Sequence, residues 1–204
     1  MFVVQKRIGN SDNFGYLIGD EGARVSAIID PSFDASSLVD DAKRRGCRLE
    51  YIILTHHHYD HVSDASRVRE RSGARVVAHK ISPVPKDIPV LGGEDLPLGG
   101  ENLKVIHTPG HTFDSICVLY GKNLFTGDTL FVGECGRCDL PGSNPEDMYE
   151  SLFHTLMKLD EDIVIYPGHD YGKTPYSTIG REKRENYTLK PRTKKEFVKF
   201  VLEP

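Results

Sequence analysis

The segment Thr55-His-His-His-Tyr-Asp-His61 follows directly after the apolar run Tyr51-Ile-Ile-Leu54, and few folds have a use for such a passage. The end of a strand and the start of a loop can aim several side chains into one space. In the pattern HxHxDH, residues two apart on an extended chain point the same way, so His56 and His58 can share one cation. Asp60 and His61, where the chain turns toward a helix, can face a second. Crowding this much imidazole and carboxylate together is costly without a cation. A histidine-rich surface turn is the simpler reading, and three later places in the chain argue against it. They are His111 in Thr108-Pro-Gly-His-Thr112, Asp128 in Phe125-Thr-Gly-Asp-Thr129 and His169 in Tyr166-Pro-Gly-His-Asp170. Each follows an apolar strand pattern closely, and Gly110, Gly127 and Gly168 stand immediately before them, permitting sharp turns and close backbone approach. Several strand ends are therefore expected to converge on one rim.

The rest of the chain supplies strands and helices in an order that suits this. Phe2–Ile8, Phe14–Ile18 and Val25–Ile29 read as a β-meander with turns at Gly9-Asn-Ser-Asp12 and Gly19-Asp-Glu-Gly22. Helical spacing then appears over Ser32–Gly46, followed by the strand Tyr51–Leu54, a helix over Ser63–Ser72 and the strand Arg75–Ala78. Ile81–Gly100, rich in Pro and Gly, reads as a long surface loop with one or two short strands. Strands are expected again at Leu103–His107, Ser115–Tyr120 and Asn123–Thr126. A helix is expected over Pro145–Leu159, with Met148, Leu152, Leu156 and Leu159 on one face. A last strand Ile163–Tyr166 precedes helices over Tyr176–Asn186 and Thr193–Leu202. Two sheets with helices outside them, an α/β architecture, follow from this order. With no linker and no fixed-period repeat, residues 1–204 are expected to form one domain.

Composition bounds the function. The chain has 204 residues and a formal net charge of −4, with no apolar run near the roughly 18 residues of a membrane helix. No membrane partner is expected, nor nucleic acid as the main partner. The first ten residues lack the pattern of a secretory signal, which points to the cytoplasm. Arg181–Pro204 carries eight Lys or Arg against four Glu, interleaved as on a solvated helix face. Cys135-Gly-Arg-Cys138 is a lone CxxC, read as two thiols in a Gly-rich loop rather than half a zinc site or a redox pair, and Cys117 reads as a small buried apolar residue. There is no GxSxG elbow, P-loop or GxGxxG in a strand-to-helix context, so serine hydrolase, NTPase and Rossmann readings lack support.

His56, His58, Asp60, His61, His111, Asp128 and His169, in this order, resemble the motifs of the metallo-β-lactamase-fold superfamily. The resemblance implies a four-layer αβ/βα sandwich of two mixed sheets with helices on the outer faces and a dinuclear site at the sheet edge. It further implies that His56, His58 and His111 bind one metal ion, that Asp60, His61 and His169 bind a second, and that Asp128 bridges them. Asp30, in Ile29-Asp-Pro31, matches an acid expected to orient a ligand or the loop that holds it. The implied cofactors are two divalent ions, zinc first and iron or manganese as alternatives.

Within the superfamily, Thr126-Gly-Asp-Thr-Leu-Phe-Val-Gly-Glu-Cys-Gly-Arg137 is similar to the glyoxalase II group of thiol-ester hydrolases. That likeness implies cleavage of a small acyl thioester by a metal-bridging hydroxide, with Asp60 and Asp128 as catalytic groups and Arg137 near the thiol part of the substrate. Cys135-Gly-Arg-Cys-Asp139, His169-Asp-Tyr171, Ser177-Thr178 and Glu196-Phe-Val-Lys199 are similar to persulfide dioxygenases. Those would instead hold one Fe(II) through His56, His111 and Asp128. Broader hydrolysis of lactones, phosphodiesters or β-lactams, and a non-catalytic metal-holding module, are the remaining alternatives. His57, His79, His107 and His154 are expected to be non-ligands. The oligomeric state is not readable.

Overall fold

Period-two alternation of apolar residues decides the layering. In the computed structural model, which describes residues 1–9 and 11–203, strand β1 (Phe2–Ile8) pairs with β2 (Asn13–Asp20), and β2 with β3 (Val25–Ile29), all antiparallel. The expected turn Gly9–Asp12 includes Asn10, which lies outside the described residues, as does Pro204 of the basic tail. Helix α1 (Ser36–Arg44) then carries the chain to β4 (Arg48–Ile53), parallel to β3. Two short helices, α2 (Tyr59–Val62) and α3 (Ala65–Ser72), lead to β5 (Arg75–His79) and β6 (Ile88–Val90), both continuing the parallel run.

The second sheet opens with β7 (Asp95–Leu98), β8 (Glu101–His107), β9 (Ile116–Tyr120) and β10 (Asn123–Gly127), antiparallel throughout. After helix α4 (Pro145–Tyr149), which continues through a π-helical turn Glu150–Thr155, comes β11 (Val164–Pro167), parallel to β10. The chain ends with β12 (Ser177–Thr178), α5 (Ile179–Glu185) and α6 (Lys194–Leu202). Each mixed sheet has six strands, in the orders β1-β2-β3-β4-β5-β6 and β12-β11-β10-β9-β8-β7.

Alternate residues face opposite layers. Tyr16, Ile18, Ala27, Ile29, Tyr51 and Ile53 of the first sheet meet Leu103, Val105, Val118, Tyr120 and Phe125 of the second. Leu17, Ile28, Ile52 and Val76 face the other way, onto Leu38, Val39 and Ala42 of α1 and Val68 of α3. Cys117, Leu124 and Ile165 do the same onto Met148, Leu152, Leu156, Ile179 and Phe197. The result is the four-layer αβ/βα sandwich. Strands covered on both faces must be apolar on both, which is why β9 and the ends of β3 (Ala27–Ile29) and β4 (Tyr51–Ile53) read as continuous apolar runs. Each fully buried large side chain contributes about 1.5–3 kcal/mol.

Several expected boundaries shift: β4 begins at Arg48 rather than Tyr51 and α3 at Ala65 rather than Ser63, and two further shifts have a local cause. The helix expected from Ser32 starts only at Ser36, because Asp30 (φ +49°) and Phe33 (φ +35°) take left-handed backbone. Ser177–Thr178, expected as helix, pairs with Val164 and Ile165 as β12, and the Thr178 side chain then caps α5 at the Arg181 amide. The interleaved charges of the tail are largely paired, as in Arg181–Glu185 and Lys194–Glu150. Among the described residues no helix is long and apolar enough to cross a membrane.

Candidate metal centre

Five strand ends deliver the site: β3 leads to Asp30, β4 to the segment 55–61, β8 to His111, β10 to Asp128 and β11 to His169. The β11 end is pinned from the core. The Tyr16 hydroxyl donates to the Pro167 carbonyl, while its ring meets Phe125 edge-on at 5.0 Å. Gly110 and Gly127 take positive φ of +147° and +48° at the turns that precede His111 and Asp128, as their place in the sequence led one to expect.

All seven side chains singled out in the sequence come together. His56, His58 and His111 form one group that could hold a metal ion, Asp60, His61 and His169 another, and His56, His61 and Asp128 a third that joins them. His58 Nδ1 lies 3.1 Å from His56 Nε2 and 3.0 Å from His111 Nε2, and His61 Nε2 lies 3.2 Å from His169 Nε2. Asp128 sits between, with Oδ1 3.4 Å from His61 Nε2 and Oδ2 3.5 and 3.3 Å from Nε2 of His111 and His169.

The outward partners fix the tautomers. His61 Nδ1 donates to Asp30 Oδ2 at 3.0 Å, His111 Nδ1 to the Arg137 carbonyl at 3.0 Å, and His169 Nδ1 to the Ser11 carbonyl at 2.9 Å. Thr55 Oγ1 donates to Asp30 Oδ2 at 2.6 Å, so it accepts from His56 Nδ1 at 3.1 Å. With Nδ1 committed outward, these four rings turn Nε2 inward, against one another or against His58, at distances where only a cation or a proton relieves the repulsion. Asp128 Oδ1 is buried there without any hydrogen-bond donor. Such a donor set suits divalent cations of the zinc or iron kind.

The electrostatics agree. Burial and the neighbouring histidines hold His56 well below its ordinary value, and burial with His111 and His57 lowers His58 to about 4. Burial disfavours the imidazolium of His61, but Asp128 and Asp30 together outweigh it and hold the group well above the ordinary value. Burial likewise opposes the Asp128 carboxylate, yet His61 and His169 keep it well below the usual range.

Arg137 makes two kinds of contact. Its guanidinium makes a bidentate pair with Asp139, at 2.7 Å for each contact, and what reaches the centre is its backbone carbonyl. His57 turns away from the cluster to buried Asp114, 2.6 Å away, while His79 and His107 stack on each other at 4.1 Å. The four cysteines are free and buried, and burial pushes the Cys117 and Cys135 thiols up to about 12. Thr55, Asn13 and Asp114 are the supporting residues that sequence reasoning missed. Asn13 Nδ2 donates to both the carbonyl and Oδ2 of Asp60, at 3.0 and 3.1 Å, across 47 positions that no local pattern links. Thr55, by contrast, abuts the histidine segment, and its place directly after the strand was a usable signal.

Two sheets face to face, with a histidine and carboxylate cluster at the strand ends, define a metal-site αβ/βα sandwich. A model of the metallo-beta-lactamase superfamily matches residues 10–82 and 80–169, and the chain belongs to that superfamily. A hydroxyacylglutathione hydrolase of Brucella ovis is 36% identical over 196 residues, covering 94% of this chain and 75% of the relative. A probable polyketide biosynthesis zinc-dependent hydrolase, PksB of Bacillus subtilis, is 29% identical over 208 residues, covering 97% and 90%. Among solved structures, ETHE1 from Myxococcus xanthus superposes with a TM-score of 0.94 at 33% identity, covering all of this chain and 91% of that one.

Proposed function

We propose that the chain is a dinuclear metal-dependent hydrolase of small acyl thioesters. The observation that carries this reading is the division of Asp128: one carboxylate oxygen lies toward His61 and the other toward His111 and His169. In this reading His56, His58 and His111 hold one ion, Asp60, His61 and His169 the other, and Asp128 both. Zinc fits the imidazole-rich set, with iron or manganese able to take the same ligands. Two such cations supply a water ionised near neutral pH and polarise a carbonyl oxygen.

The protein's own groups do the rest. Asp60 and His58 are the two of the seven acids and imidazoles that are not fully buried, and Asn13 keeps the Asp60 carboxylate aimed inward, where it can take up or release a proton during acyl transfer. Asp30 holds His61 in the tautomer that keeps Nε2 free. Beside the centre, the Tyr171 ring stacks on His169 at 4.6 Å and lines a groove with Val132, Lys173 and Arg181. Arg181 is paired with Glu185, whereas Lys173 makes no ion pair among the described residues, so Lys173 is the cation best suited to a carboxylate on the thiol part of a substrate.

The likeness to ETHE1 keeps a second reading in view, a mononuclear iron persulfide dioxygenase using His56, His111 and Asp128. Paired assays on the metal-loaded chain separate the two. Thiol release from a 2-hydroxyacyl thioester under anaerobic conditions is the expected result. Oxygen consumption with a persulfide, without thioester cleavage, would replace the hydrolase by the dioxygenase.

A further inference from the structure

Of the three glycines that precede the site residues, Gly168 alone has no positive φ, so its backbone conformation would accept any L-residue. What it lacks is room. A Cβ at position 168 would stand 2.2 Å from Asp128 Oδ1, 2.9 Å from His61 Cε1 and 3.1 Å from the Gly127 carbonyl carbon. The backbone cannot step aside cheaply, because the Gly168 amide donates to the Gly127 carbonyl and the Gly168 carbonyl accepts from the Phe14 amide, both at 2.8 Å. The carboxylate is the part that can yield, and the atom in the way is the oxygen with no hydrogen-bond donor, aimed at the His56 and His61 group.

We propose that Gly168 is a positioning residue that sets how many metal ions the centre holds. The empty space above its Cα lets Asp128 keep Oδ1 toward His61 while Oδ2 lies toward His111 and His169. A methyl group there would turn Oδ1 away from His61 while sparing the His56, His58 and His111 group, since the three atoms nearest the added carbon belong to Asp128, His61 and Gly127. The chain would pass from a two-ion to a one-ion centre by the gain of one carbon. This rests on the metal-ligand reading above and deepens it.

The test is the number of zinc ions retained per chain after equilibrium dialysis, measured on wild type and Gly168→Ala. The expected result is about two for wild type and about one for the variant, a loss of the kind that follows when the support of a ligand is displaced. Two ions in Gly168→Ala would overturn the inference and leave the metal-ligand reading standing. Fewer than two in wild type would overturn both. A second measurement needs no metal and covers a variant that folds poorly. The thermal midpoints of metal-free Gly168→Ala, Asp128→Ala and the double variant form a cycle. Alanine at 168 should lower the midpoint clearly in the presence of Asp128 and by less than half as much in the Asp128→Ala background. An equal drop in both backgrounds, or a double variant that does not fold, overturns the proposal.

Discussion

Asp30 Oδ2 accepts from His61 Nδ1 at 3.0 Å, and the same carboxylate accepts from both the amide and the hydroxyl of Thr55 at 2.8 and 2.6 Å. One buried acid thus orients His61 directly and, through the Thr55 hydroxyl, His56. It couples the ends of β3 and β4 to both halves of the centre.

Replacing that acid separates orientation from ligation. Asp30→Asn keeps the shape, and asparagine tolerates the left-handed backbone at this position, but it puts amide hydrogens against groups that are already donors. Zinc affinity should fall about 10–100-fold, the usual cost of losing such a support. The metal-free fold should lose about 1–3 kcal/mol from the donors left unpaired. Competition with a chromophoric chelator reads the first and urea unfolding the second.

Metal should stabilise the fold, because without it four inward Nε2 atoms crowd one another and His58 at 3.0–3.2 Å. At a free zinc concentration about 1,000 times the dissociation constant, binding adds about 4 kcal/mol. For a domain of this size that corresponds to a rise of about 8–16 °C in the thermal midpoint. The gain should shrink as the pH falls, since His61, held above its ordinary value in the metal-free chain, then takes a proton where the cation would sit. Asp128→Ala should remove most of the gain at every pH. Calorimetry with and without zinc measures each effect.

The metal-free chain should also lose stability on mild acidification, partly through His58. Its folded value is about 4 against 6.5 for a free imidazole. Between these values the unfolded chain binds a proton that the folded chain refuses, so this contribution declines as the pH drops from about 6.5 toward 4. His61 works in the opposite direction: the stability its raised value lends is present at low pH and lost as pH rises through that value. His58→Gln should flatten the decline over the lower window, read from urea midpoints at a series of pH values.

The two thiols of Cys135-Gly-Arg-Cys138 should prove inert. Both are buried, and burial pushes Cys135 up to about 12 and Cys138 higher, leaving almost no thiolate at neutral pH. A thiol reagent should label none of the four cysteines in the native chain and all of them in denaturant. Rapid labelling of the native protein would revive a redox role.

Much of this site was legible because its chemistry is written locally. HxHxDH after a strand, and a glycine before each of His111, Asp128 and His169, mark the clustered side chains and the strand ends in the same few residues. The layering was legible for a similar reason, since short apolar runs such as β9 and the helical spacing between them need only neighbours to be read. What stayed hidden depends on pairs far apart in sequence. Asn13 meets Asp60 and His57 meets Asp114 only after the sheets assemble. The pairing of the Arg137 guanidinium with Asp139, two residues on, is likewise seen only once the loop is folded. The two-residue strand β12 is too short to carry a period at all, and only its pairing with β11 reveals it.

The measurement that bears most directly on the whole account is anomalous X-ray scattering from crystals of the chain equilibrated with zinc. Two peaks are predicted, one among His56, His58 and His111 and one among Asp60, His61 and His169, with the Asp128 carboxylate between them. Peaks elsewhere on the surface, with these side chains left bare, would contradict it.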